Sequence, residues 1–86
     1  MLLVASSRAN PESHTYNSWR ITQYLNVLKE FSAHYPDVAV ADVTRAWDFL
    51  LRSKAYLDVT GNRLNHPNDF GHRVMADVVL NAIYGQ

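Results

Sequence analysis

The chain opens on an unbroken apolar run, Leu2 to Ala5, closed by Ser6 and Ser7 and then by Asn10-Pro11. A short apolar run without alternation, bounded by turn formers, predicts a buried strand and not a half-exposed one. Residues 7–16 are polar and include a proline, which predicts a loop. From about Asn17 to His34 the apolar residues Ile21, Tyr24, Leu25, Leu28 and Phe31 recur at three- and four-residue steps. That period lays one apolar stripe along a helix, with Asn17 or Ser18 as its N-cap. Trp19, Tyr24 and Phe31 share the helical spacing and read as core, not as a stacking surface for bases. Tyr35-Pro36-Asp37 breaks the helix.

Val38 to Ala41 is a second apolar run, flanked by Asp37 and Asp42. It predicts another strand buried on both faces, the habit of parallel sheets. Asp42 falls where that strand ends. It is placed to cap a second helix in which Val43, Trp47, Leu50 and Leu51 share a face, although the carboxyl end of a strand is also where open α/β sheets place ligands. Lys54 to Asn65 contains Gly61-Asn62 and no helical period, so it predicts a loop, long enough to suggest a functional or lid-like segment. A third helix is predicted from Pro67 to about Tyr84, where Phe70, Val74, Val78 and Ala82 lie four apart with Met75 and Val79 alongside. Proline favours the first helical position, which makes His66 the N-cap, and Gly85 is the stop signal.

The resulting order is β-α-β-α-loop-α, an α/β chain in which two parallel strands and a crossover helix form a right-handed βαβ unit. Two strands of wholly apolar sequence leave two unpaired edges, whereas parallel sheets are normally buried and wider. Residues 1–86 therefore read as a single partial domain, part of a larger sheet.

Composition narrows the function classes. Eight basic residues balance eight acidic ones, which argues against an electrostatic grip on nucleic acid or anionic lipid. With 48% hydrophobic and 19% charged residues the chain is not disordered by composition. A lone domain of 9.8 kDa buries roughly 64% of its unfolded surface, which is marginal but workable. The absence of cysteine excludes disulfides and cysteine-ligated metal. No apolar run approaches the length of a membrane span, and the Leu2–Ala5 run is too short for a signal core. If Met1 is the native start, the expected location is cytoplasmic.

The densest polar cluster is Asn65-His66-Pro67-Asn68-Asp69-Phe70-Gly71-His72. An imidazole at the mouth of a helix, held by a following proline, suits a general base; it equally suits a helix cap, with Asp69 complementing the helix dipole. Asp58, upstream in the long loop, is placed to orient His66 as a triad acid would, or to be a solvated loop carboxylate. Asp69 and His72, three apart, are too few to make a metal site, and no metal or other cofactor is expected. His14 and His34 read as solvated. No nucleophile stands out: Ser6 and Ser7 follow the first strand without a glycine-flanked elbow, and Ser13, Ser18, Ser32 and Ser53 have no partner signature. No phosphate-binding loop is present either.

The stretch from Tyr56 to His72, YLDVTGNRLNHPNDFGH, resembles the final block of SGNH/GDSL-type esterases and acylhydrolases, in which a His-Pro-Asn segment precedes the C-terminal helix. Val38 to Thr44 looks like that family's last sheet strand, and Leu2 to Ser6 like the strand before it. The resemblance covers this whole chain but only the C-terminal part of the family's domain. It implies a flavodoxin-like, three-layer parallel sheet and hydrolysis of acyl or acetyl esters, carbohydrate esters among them, with His66 as the catalytic base. The family usually places its acid three residues before that histidine, where this chain has Arg63. The alternatives are Asp58 as substitute, a backbone carbonyl on the ring, or a Ser–His dyad. The Gly-Asp-Ser block with the nucleophile, and the Gly and Asn blocks of the oxyanion hole, belong upstream of Leu2, so the 86-residue chain is expected to be inactive alone. The competing reading is a non-catalytic α/β module that forms homo-oligomers by pairing its exposed sheet edges.

Overall fold

The structure, a computed structural model, describes residues 1–10, 18–62 and 65–85. Its elements are β1 (Leu2–Val4), α1 (Ser18–His34), β2 (Ala39–Ala41), α2 (Val43–Leu50) and α3 (Asp69–Tyr84), with one turn of 3-10 helix at Tyr56–Asp58. The strands pair in parallel, Leu2 with Ala39, Leu3 with Val40 and Val4 with Ala41. The ladder runs one bond further each way: Ala39 N donates to the Met1 carbonyl at 3.0 Å, and Ala5 N to the Ala41 carbonyl at 2.9 Å. A parallel pair joined through α1 is the βαβ unit that the order of runs predicts.

The strands are not buried on both faces as expected. Leu2, Leu3, Ala39 and Val40 are half-buried, and Val4 is 48% exposed; only Ala41 of the six is fully covered. α3 packs on both strands and on α2, and α1 on β2 and α2, but no third strand joins the sheet among the described residues. Two short strands give the helices too little surface to enclose.

The core lies among α2, α3 and the segment at Val59. Val43 and Trp47, one turn apart on α2, meet Val59, and all three are essentially fully buried. Leu50, Leu51, Tyr56, Val74, Met75 and Val78 pack around them. Gly71 makes this closeness geometrically feasible: a Cβ there would stand 2.7 Å from the Val59 carbonyl oxygen and 2.8 Å from Pro67 Cβ, so any side chain would force the helix off the loop.

The helix ends follow local hydrogen bonding. Asp42 caps α2, its Oδ1 accepting from Arg45 N at 2.8 Å, and its other oxygen pairs with Lys29 of α1 at 2.9 Å. Gly85 ends α3. The start of α3 differs from expectation: the first helical residue is Asp69, not Pro67, and the cap is Asn68, whose Oδ1 accepts from Gly71 N at 2.9 Å. Asparagine is a far better acceptor for the third helical amide than a histidine ring, and it outcompetes the proline rule by two residues.

α1 also departs from the expected core. Leu25 is the one buried residue among those of α1 whose burial is described, while Trp19, Tyr24 and Phe31 are 55, 62 and 43% exposed. The buried stripe runs through Ile21, Leu25 and Leu28. Tyr24, Val27 and Phe31 form a second apolar stripe beside it that faces solvent. The period predicted the helix correctly, but it could not say how much of a wide apolar face finds a partner.

Candidate functional site

The described residues 59–62 and 65–68 are not free connectors but lie bonded against each other. Thr60 and Pro67 form an antiparallel bridge between them. Gly61 N donates to the His66 carbonyl at 2.7 Å, and the buried Thr60 hydroxyl donates to the same oxygen at 2.9 Å. Asn68 N donates to the Val59 carbonyl at 3.0 Å, and Asn68 Nδ2 to the Asp58 carbonyl at 2.8 Å. Asparagines dominate because a short carboxamide satisfies loop amides that no helix or strand can reach.

His66 stands on this frame. Its N–H donates to Asn62 Oδ1 at 3.0 Å, and its carbonyl takes the two bonds from Gly61 and Thr60. Pro67 follows it, which restricts His66 to extended backbone. The residue is exposed, and no described residue hydrogen-bonds or pairs with its imidazole. His66 is two residues ahead of the α3 cap, so its ring has no capping task.

Asp58 is held elsewhere. Its Oδ2 accepts from Ala55 N at 2.9 Å and closes the 3-10 turn. No hydrogen bond or ion pair joins its carboxylate to His66, so the structure does not bring together the two residues that the sequence reading pairs. Arg63, Ser13 and His14 lie outside the described residues. Asp69 and His72 are both exposed, and no group of three metal-binding side chains occurs among the described residues. His34 is exposed at the end of α1. Ser6 Oγ donates to the Ser7 carbonyl at 2.8 Å, and Ser32 Oγ to the Lys29 carbonyl at 2.9 Å; neither meets His66. No helix among the described residues is long and apolar enough to cross a membrane.

A second polar network ties this loop to the segment after β1. The Tyr56 hydroxyl donates to the Arg8 carbonyl at 2.7 Å. The Arg8 guanidinium grips Asp48 of α2 with two bonds, at 2.8 and 2.9 Å, and Thr22 of α1 with a third at 2.7 Å. Thr44 Oγ1, fully buried, donates to the Ser6 carbonyl at 2.6 Å. The chain leaving the carboxyl end of β1 is thus fastened to α1, α2 and the 3-10 turn that leads to His66. Burial pushes the Tyr56 hydroxyl above its ordinary pKa of 10, partly offset by its contact with the Thr60 side chain.

Sequence reasoning singled out His66 and Asp58 but passed over Thr60, Asn62 and Asn68, which build the loop. The signal was present: an asparagine three residues ahead of Gly71, and another three and four ahead of Asn65 and His66, are spacings at which a side-chain oxygen meets backbone N–H groups. Comparison with family models, curated proteins and solved structures finds no match to the chain.

Proposed function

We propose that this chain is the C-terminal portion of an SGNH/GDSL-type ester hydrolase with a flavodoxin-like, three-layer sheet, and that His66 is its base. The observation that supports this reading is an exposed imidazole without a partner among the described residues, on a backbone held at both its N–H and its carbonyl. A histidine kept for structure alone would be expected to spend its ring on a cap or a core contact. In this chain Asn68 does the capping.

In the completed site the imidazole takes the Oγ proton of a serine supplied by the rest of the domain, and Oγ attacks the ester carbonyl carbon. The imidazolium returns that proton to the departing alkoxide, leaving an acyl-serine. A water then loses its proton to the same imidazole and attacks the acyl carbon; the carboxylic acid leaves as serine regains its proton. Because Asp58 is engaged by Ala55, a Ser–His dyad is the arrangement we favour over Asp58 as acid. The substrates are acyl or acetyl esters, carbohydrate esters among them.

The test has two arms. The 86-residue chain should hydrolyse p-nitrophenyl acetate no faster than free imidazole, and turnover sensitive to a serine-directed inhibitor would contradict that. Reading the nucleotide sequence upstream of the Met1 codon should reveal an in-frame Gly-Asp-Ser block; an in-frame stop close by would overturn the proposal.

A second reading, a non-catalytic α/β module that oligomerises through its sheet edges, is favoured by the exposure of Val4 on β1 and of Tyr24, Val27 and Phe31 on α1. Light scattering after size exclusion separates the two: a monomer at every concentration removes the second reading.

A further inference from the structure

We infer that Asn62 is the positioning residue for His66, an inference that rests on the hydrolase reading above. Its Oδ1 lies within reach of three donors at once: Asn65 N at 2.9 Å, His66 N at 3.0 Å and, more distantly, the Thr60 hydroxyl at 3.4 Å. Its Nδ2 donates to Asn65 Oδ1 at 3.0 Å. One carboxamide therefore spans the loop from the Thr60 side to the His66 side. Without that oxygen two adjacent loop amides, Asn65 and His66, lose their acceptor together.

The consequence for chemistry lies in where the constraint falls. A triad acid orients a catalytic histidine through its ring. Here the ring has no partner among the described residues, and constraint enters through the main chain: Asn62 on the His66 N–H, Gly61 and Thr60 on its carbonyl, and the Pro67 ring on its backbone angle. Thr60 forms the bridge with Pro67 and follows the buried Val59, and Gly61 acts through its backbone N–H. Asn62 is the exposed side chain in the set, so its removal loosens His66 while leaving the core intact. Placement of a base within a fraction of an ångström is worth large factors in rate, and a side chain that fixes the backbone fixes that placement.

The experiment is backbone relaxation and amide exchange on the 86-residue chain, comparing Asn62→Ala and Asn62→Asp with the native protein. The native His66 amide should show an order parameter of about 0.85, falling below about 0.6 in Asn62→Ala. Exchange of the Asn65 and His66 amides should rise about tenfold, with the Val59 amide and Trp47 indole signals unmoved. Asn62→Asp keeps the oxygen acceptor for both amides and should restore the rigid value. A His66 amide that stays rigid in Asn62→Ala overturns the inference, as does an Asn62→Asp chain as loose as Asn62→Ala. Should Asn62→Ala fail to fold, the aspartate variant decides alone: rigid His66 supports the inference and loose His66 ends it. None of these readouts needs turnover, so a negative esterase assay would defeat the hydrolase reading and leave the positioning result standing.

Discussion

Trp47 is 1% exposed between Val43 and Val59, whereas Tyr24, Val27 and Phe31, on a helix about twice as long, are 62, 62 and 43% exposed. Both regions carry apolar residues at helical spacing. What separates them is a second layer: α2 is backed by α3 and by the loop through Val59, while the outer stripe of α1 faces no described element. Three of the described exposed rings have cations above them: Trp19 of α1 under Arg20 at 5.4 Å, Phe49 under Arg52 at 6.0 Å and Phe70 under Lys54 at 5.2 Å. Within the outer stripe of α1, Phe31 has a ring neighbour, Tyr35 at 4.7 Å. Among the described residues, apolar surface is covered around Val59 and left open along α1.

Substitutions should reproduce that contrast. Trp47→Ala removes the largest buried side chain and should cost about 3–5 kcal/mol by chemical denaturation; a cost under 1 would mean the core is not where it is drawn. Gly71→Ala should cost about 1–3 kcal/mol, since the new methyl meets the Val59 carbonyl and Pro67 before anything flexible. Asn68→Ala should lose about 0.5–2 kcal/mol with the α3 cap, while His66→Ala, whose structural bonds are all main-chain, should stay within about 0.5. On the open side, Tyr24→Lys with Phe31→Lys should leave thermal stability within about 0.5 kcal/mol per site, and any self-association of the native chain should weaken.

The smallest effect is alkaline. Tyr56 is held above pH 10 in the folded chain, so the unfolded chain releases that proton first. Its contribution is complete below about pH 10 and declines as pH rises beyond it. Tyr56→Phe should flatten that decline in a pH series of melts, and an unchanged slope would place its origin elsewhere.

Much of the fold was legible because local rules and tertiary contacts agree. Asp42 and Gly85 cap where their chemistry says they should, and both strands lie in the predicted apolar runs. Besides the α1 stripe, two expectations failed. Asn68 displaced His66 as the cap because its carboxamide reaches the Gly71 amide. Strand burial failed because apolar sequence reports what can be covered, and cover depends on neighbouring strands and helices that one chain's pattern cannot count. At the candidate site His66 was visible as a residue type in a suggestive place, but its scaffold of Thr60, Asn62 and Asn68 was not. The asparagines carry only a local spacing, three or four residues ahead of the amides they meet, which marks a loop bond but no element.

Capping of α3 by Asn68 also allows the cleanest test of the central claim. Because His66 caps nothing, replacing it perturbs chemistry without disturbing α3. The measurement is p-nitrophenyl acetate hydrolysis by this chain expressed together with the in-frame sequence upstream of Met1, native against His66→Gln. The hydrolase account predicts serine-inhibitor-sensitive turnover that falls at least about 10³-fold on substitution; equal rates for the two proteins would contradict it.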